Sequence, residues 1–191
     1  MKKLLILDLD ETLIHTEVIP DHMSDQFDWD FKMESSNGSS YYTKKRPYLD
    51  QFLKFAFENF DIAVWTAASK DYAENILKNI GIDESNLKFL YTKENCTLRA
   101  DNRNGSYTGQ YYGIKNLNKL KRKGYDLDQV LIVDDVLETA ENNWGNLIRI
   151  KPYTYEREDT ELLKLISYLE YIKNVNNVRS IEKRGWSNGK G

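Results

Sequence analysis

The chain carries a single cysteine, Cys96, among its 191 residues, so no disulfide can form within it and its order must come from a packed core. No apolar run approaches the roughly 20 residues that a membrane-spanning helix needs. The one near the N-terminus stops at Asp8, too short for a signal-peptide core and without a small-residue cleavage site. The expected location is therefore the cytoplasm. Charge of one sign is also scarce: the net value is −3, which provides no global basic field for nucleic acid or an anionic membrane. No internal repeat is visible. Hydrophobic residues make up 40% and aromatics 13% of the chain, a globular composition at a length suited to one domain with small inserts.

Leu4-Leu5-Ile6-Leu7 reads as a buried strand, and it ends in Asp8 and Asp10 with Thr12 just beyond. With a strand period of two, both carboxylates share one side or crowd the strand's C-terminal end. Open α/β sheets bind ligands at that edge, and two crowded carboxylates call for a cation or a shared proton.

The pattern repeats along the chain. Asp61 to Trp65 is a second buried strand that ends in Thr66, and Gln129 to Val133 is another that ends in Asp134-Asp135. Leu87 to Tyr91 and Leu147 to Ile150 complete the set of expected strands. Helices are expected over 47–59 with Pro47 in the first turn, over 69–80 capped by Ser69 and stopped by Gly81, over 114–123, and over 159–173 with Leu162, Leu163, Leu165, Ile166, Leu169 and Ile172 buried.

Alternating strands and helices predict an α/β fold, a three-layer Rossmann-like parallel sheet with helices on both faces. Residues 1–174 form the expected single domain. A β-hairpin flap is expected over about 27–45, around the Asn37-Gly38 turn signal; residues 15–26 read as a polar loop. A small β insertion is expected over about 88–113, and residues 175–191, with Arg179, Lys183, Arg184 and Lys190, form a peripheral tail.

If the strands are parallel neighbours, Asp8, Asp10, Thr66, Asp134 and Asp135 meet in one crevice. Phosphoryl transfer needs a nucleophile, charge neutralisation and a proton donor. Asp8 can attack phosphorus, and Asp10 can protonate the leaving oxygen and then deprotonate water. Asp8, the Asp10 main-chain carbonyl and one or both of Asp134 and Asp135 offer the oxygen ligands Mg²⁺ prefers. Thr66 can donate to a phosphoryl oxygen, and a lysine should offset charge; Lys115, Lys70, Lys44 and Lys93 all compete for that role. His15 reads as a structural hydrogen-bonder, Cys96 as a packing residue, and Trp65, Tyr111 and Tyr112 as core or insert packing.

The run Asp8-Leu9-Asp10-Glu11-Thr12-Leu13-Ile14-His15 resembles the first motif of the haloacid dehalogenase (HAD) superfamily. More narrowly, it is similar to the RNA polymerase II C-terminal-domain phosphatases and the NLI-interacting-factor-like phosphatases. The similarity continues at Lys45-Arg46-Pro47, Trp65-Thr66-Ala67-Ala68-Ser69-Lys70-Asp71-Tyr72, Glu94-Asn95-Cys96, Lys115-Asn116-Leu117, Leu131-Ile132-Val133-Asp134-Asp135 and Asp159-Thr160-Glu161. The resemblance implies a Mg²⁺-dependent phosphomonoesterase with an aspartyl-phosphate intermediate, Asp8 as nucleophile and Asp10 as acid/base. It implies Thr66 on the phosphoryl group, Lys115 as the lysine, Asp135 as metal ligand and Asp134 paired with Lys115, with Thr12 and Ala67 as substrate contacts. The implied substrate is a phosphopeptide or phosphoprotein at serine or threonine; a small-molecule or nucleic-acid-end phosphatase and a non-catalytic phosphopeptide binder are the alternatives. Asp-Asp stands where many members have Asp-Asn, and the insert from Arg99 to Tyr112 is longer than in the small eukaryotic members.

Overall fold

A computed structural model describes residues 2–34, 38–100 and 111–188. In chain order its elements are β1 (Leu4–Leu7), β2 (Ile14–Val18), α1 (Asp21–Ser24), β3 (Phe31–Glu34), β4 (Ser40–Lys45), α2 (Leu49–Asn59), β5 (Asp61–Trp65), α3 (Lys70–Asn79), β6 (Leu90–Tyr91), β7 (Thr97–Ala100), β8 (Tyr111–Ile114), α4 (Asn118–Lys121), β9 (Val130–Asp134), β10 (Leu147–Arg149) and α5 (Glu161–Ile172). Five strands make one sheet in the order β10-β9-β1-β5-β6, and every pairing in it is parallel. Parallel strands need crossovers and are covered on both faces, which is why these read as continuous apolar runs.

Alternation along the strands splits the core in two. Leu5 and Leu7 of β1 join Ile62, Val64, Leu131 and Val133 beneath the apolar stripes of α2, α3 and α5. Leu4 and Ile6 face the other way, with Ala63, Trp65, Val130 and Ile132, against Leu117, Leu120, Leu127 and Ala140. The helical cover is thus unequal: three long helices on one face, one short helix and two 3-10 turns on the other. β1 lies at the centre with all four residues buried. Truncating Leu5 there to alanine would cost about 2–5 kcal/mol, since a packed interior refills a void only in part.

Several local expectations change. Residues 15–26 are not a loop throughout: β2 pairs antiparallel with β4, and β4 with β3, so the flap has three strands; the Ser36-Asn37 part of its turn lies outside the described residues. The helix expected to hold Pro47 in its first turn starts at Leu49, because Tyr48 takes a left-handed backbone at φ 65° within a turn closed by the Leu49 N–H on the Arg46 carbonyl at 3.2 Å. The strand expected from Leu87 is only Leu90–Tyr91. Ile114 belongs to β8, paired with Thr97, so the helix expected from 114 covers only Asn118–Lys121. On α5, Leu163 and Ile166 are half-exposed and Tyr168 takes a buried place instead.

The tail does not fray within the described residues. Val178 and Trp186 are buried; the Trp186 indole donates to the Arg149 carbonyl at 2.7 Å. Lys183, expected to be solvated, is buried, and its ammonium donates to the carbonyls of Gly145 and Ile181 at 2.7 and 2.9 Å and to that of Val178. Lys190 and residues 101–110 of the insertion lie outside the described residues. No described helix is long and apolar enough to cross a membrane.

Candidate active site

The sheet order decides what meets at its C-terminal edge. β1 is flanked by β5 and β9 in matched register, Leu7 opposite Val64 on one side and Val133 on the other. Asp8 and Thr66, which follow β1 and β5, and Asp134, the last residue of β9, are therefore neighbours. The Asp8 N–H continues the ladder to the Val133 carbonyl at 3.1 Å. The chain then turns sharply, with the Leu9 carbonyl accepting from the N–H groups of Thr12, Leu13 and Ile14 and Glu11 in the left-handed region at φ 54°. Within that turn Asp10 bridges to Ile14 at the start of β2.

Lys115 is the hub. Its Nζ lies 2.5 Å from Asp8 Oδ1 and 2.7 Å from Asp134 Oδ2, and all three residues are buried. It arrives straight from β8 rather than from a helix N-terminus, with its N–H held by the Thr139 carbonyl at 2.8 Å. Burial works against its charge, but the Asp134 and Asp8 carboxylates outweigh that and hold its pKa above the ordinary lysine value. For Asp8 the balance runs the other way. Burial pushes its pKa well up, Lys115 pulls it down, and Asp134 and Asp10 add to the rise.

Asp134 is saturated. Beyond Lys115, its Oδ2 accepts from the Thr139 hydroxyl at 2.8 Å and its Oδ1 from the Val136 N–H at 2.9 Å. The Asp135 carboxylate accepts from its own main-chain N–H, which pulls its pKa down; burial first, and then Asp134, push it up, and the rise wins. One oxygen each of Asp8, Asp134 and Asp135 lies within 4.8 Å of the others. An all-oxygen set of crowded carboxylates with a single lysine suits a hard divalent cation such as Mg²⁺. Of the three, Asp134 carries the most hydrogen bonds from other residues, three against two on Asp8.

Asp10 is half-buried, and Tyr72 on α3 donates to its Oδ1 at 2.5 Å. The Tyr72 oxygen is also 3.0 Å from Thr16 Oγ1. Burial raises the Asp10 pKa, against the pull of Tyr72 and Lys115. Thr66 is buried, and its Oγ1 accepts from the Ala68 N–H at 3.0 Å, which leaves its own proton to donate into the crevice. Ala67 is exposed beside it. Thr12 is fully buried, and its hydroxyl donates to Asp8 Oδ2 at 3.4 Å.

Two residues carrying the loop escaped sequence reasoning. Arg46 is buried, with Nε and Nη2 on the two oxygens of Asp159 at 2.9 and 2.8 Å. Its Nη1 donates to the carbonyl of Thr12 at 2.9 Å, and its Nη2 to that of Lys151 at 2.8 Å. It thus ties the loop after β1 to the start of α5. Both residues sit inside resembling motifs, but a contact between positions 113 apart leaves no local signature. Tyr72 likewise sits inside a resembling motif, where nothing local points to its bond with Asp10.

The other candidates fall outside the chemistry. His15 stacks on Trp29 and bonds Glu17 at 3.0 Å, a structural role. The Cys96 thiol is half-buried with its pKa raised by that burial, and Trp65 is in the core. Lys44 pairs with Asp28 and Lys70 with Glu74. Tyr112 bonds Glu141 at 3.2 Å, and Tyr111 is exposed. Arg99 approaches Glu141 at 3.5 Å; Arg103 lies outside the described residues.

Residues 3–179 match the profile of the NLI interacting factor-like phosphatases. Among individual relatives, the chain is 36% identical over 175 residues to the CTD phosphatase-like protein 355R of Invertebrate iridescent virus 3, covering 86% of this chain and 93% of that one. It is 31% identical over 165 residues to CTD small phosphatase-like protein 3 of Caenorhabditis elegans, over 86% of this chain but 52% of the longer relative. Among solved structures it is similar to the fission yeast RNA polymerase II CTD phosphatase Fcp1 bound to beryllium fluoride, with a TM-score of 0.60 and 25% identity over 93% of this chain and 53% of that one.

Proposed function

From the premise that the chain belongs to the NLI interacting factor-like phosphatase family, we propose that it hydrolyses phosphoserine or phosphothreonine in protein segments through an aspartyl-phosphate on Asp8, with Mg²⁺ as cofactor. The observation that supports this most is the buried Asp8–Lys115–Asp134 cluster beside Asp10 at the C-terminal edge of the central strand. A phosphopeptide binder without turnover needs no buried carboxylate aimed at the phosphate, where it would only repel its ligand.

The steps follow from the side chains. An Asp8 oxygen forms a bond to phosphorus as the bond from phosphorus to the ester oxygen breaks, with Asp10 giving its proton to the departing alkoxide. Burial, which raises the Asp10 pKa, keeps that proton available. Asp10, now a carboxylate, takes a proton from the water that attacks phosphorus; inorganic phosphate leaves and Asp8 is restored. Lys115 and Thr66 hold charge and orientation throughout. Mg²⁺, held by Asp8 and Asp135 and by the Asp10 carbonyl, would offset the charge of the carboxylates and the phosphoryl oxygens.

The mouth supports the peptide reading. Beside Asp10 lies an open cavity of about 370 Å³ lined by Thr16, Val18, Tyr41, Ala68 and Tyr72, with Val18 well exposed. An open, partly apolar mouth suits an extended chain better than an enclosed metabolite. The test is hydrolysis of phosphoserine peptides, nucleotides, sugar phosphates and p-nitrophenyl phosphate by wild type and Asp8→Asn, with Mg²⁺ and with chelator. Wild type should release phosphate from the peptides and the aryl ester only with Mg²⁺, and Asp8→Asn should release none while keeping its fold. Near-wild-type turnover by Asp8→Asn, or full activity in chelator, would refute the mechanism.

A further inference from the structure

A second groove lies beside the catalytic crevice, on the β10 edge of the sheet. Its walls are the loop after Asp135, β10 and the C-terminal tail, and they enclose about 850 Å³. Leu137, Trp144, Leu147 and Ile181 supply apolar surface; Trp144 is 50% exposed and Val136 and Leu137 are 43% and 37% exposed. Three large apolar side chains held toward water within nine residues is an unusual burden for a surface loop. Three arginines, Arg149, Arg179 and Arg184, line the same groove against one acid, Glu182, although the chain as a whole carries −3; the Lys183 ammonium is turned inward onto carbonyls. The pairs that Arg179 makes with Asp128 at 3.8 Å and Arg184 with Glu182 at 2.6 Å are solvent-exposed. Such pairs contribute little, so an incoming acid can replace them at small cost.

The groove is built rather than incidental. The buried Lys183 ammonium ties the Gly145 carbonyl to the tail. Gly145 packs so closely that a Cβ there would stand 3.2 Å from Arg179 Cβ. Trp186 closes the floor onto the Arg149 carbonyl. The groove also meets the catalytic site: Arg149 Nε donates to the main-chain carbonyl of Asp135 at 3.2 Å.

We propose that this groove docks an acidic segment of the phosphoprotein substrate, anchored by a bulky apolar side chain against Trp144 and Leu137. This rests on the phosphatase reading above and names its substrate class: an acidic–apolar segment tethered to the phosphorylated residue. Tethering turns docking into an intramolecular event, raising the phosphate's effective concentration at Asp8 without altering the chemistry. Leu137, Leu147 and Ile181 beside Trp144 give an apolar side chain of a peptide a place to anchor, whereas the phosphates of a polynucleotide would find carbon on one side.

The test uses phosphoserine peptides with and without an Asp/Glu-rich segment containing Leu or Phe. The segment is placed on either side with linkers of roughly 4 to 12 residues, about 13 to 40 Å of extended chain. For wild type the best flanked peptide should show about tenfold higher kcat/KM, mostly through KM, a gain of about 1.4 kcal/mol. Trp144→Ala and the double reversal Arg179→Glu/Arg184→Glu should each lose that preference while hydrolysing p-nitrophenyl phosphate at the wild-type rate. Equal kcat/KM for flanked and plain peptides, or preference unchanged in both variants, would overturn the proposal. Fluorescence anisotropy of the unphosphorylated flanking peptide separates docking from turnover: saturable binding lost in both variants upholds the groove even if no phosphopeptide is hydrolysed. Absent binding, or tighter binding of a labelled oligothymidylate than of the peptide, refutes it.

Discussion

Replacing Asp159 by asparagine tests whether the buried Arg46 pair governs the catalytic loop. Both side chains are almost wholly inaccessible, at 0% and 2%. The amide keeps the shape, and its oxygen can still accept from the Glu161 N–H that Asp159 Oδ1 now receives at 3.0 Å. What disappears is the negative charge opposite a guanidinium that remains buried. Removing one partner of such a pair costs about 3–5 kcal/mol, because the survivor is left uncompensated in a poor solvent for charge. At about 2–4 °C per kcal/mol for a chain of this size, the melting temperature should fall by roughly 6–20 °C. Urea unfolding followed by tryptophan fluorescence should show a lower midpoint at unchanged slope. The double variant Arg46→Met/Asp159→Leu should recover most of that loss, since apolar replacement of a whole buried pair is often neutral or better. Its kcat for p-nitrophenyl phosphate should nonetheless stay depressed, because no donor then holds the Thr12 carbonyl in the loop between Asp8 and the flap. A loss under about 1 kcal/mol in Asp159→Asn, or wild-type kcat in the stable double variant, would refute the assignment of Arg46 as the positioning residue for this loop.

Other outcomes follow from the same geometry. Asp10→Asn should slow substrates with poor leaving groups much more than p-nitrophenyl phosphate, whose leaving group needs little protonation; equal losses would remove Asp10 from the general-acid role. Asp135→Ala should raise the Mg²⁺ concentration needed for half-maximal activity far more than Asp134→Ala, because Asp134 is already committed to Lys115, Thr139 and the Val136 N–H; the reverse order in a metal titration would contradict that. The folded-state pKa of Lys115 lies above the ordinary 10.5, so its contribution to stability is complete below about pH 10.5 and fades as pH rises through the folded value. Lys115→Met should flatten that alkaline decline, and an identical slope in the variant, measured by urea unfolding from about pH 10.5 upward, would count against it.

Much of this was readable in the chain before any fold was built. The apolar runs that end in Asp8, Thr66 and Asp134 are local facts, and local runs are what strand formation reads. Those endings and a parallel sheet are enough to bring Asp8, Asp10, Thr66 and the Asp134-Asp135 pair into one crevice. The choice of Lys115 over Lys44, Lys70 and Lys93 was not local, and it came from resemblance. Tertiary structure supplies its physical reason: β8 delivers that ammonium between two buried carboxylates, whereas Lys44 and Lys70 pair with partners outside the crevice. The third flap strand stayed hidden because residues 14–18 lack a clean apolar alternation, and pairing with β4 rather than intrinsic preference makes them a strand. Arg46 with Asp159, Tyr72 with Asp10, and Lys183 with its three carbonyls stayed hidden for a related reason. Burial of a polar or charged side chain is decided by partners far away in sequence, and a linear pattern records the residue but not the company it keeps.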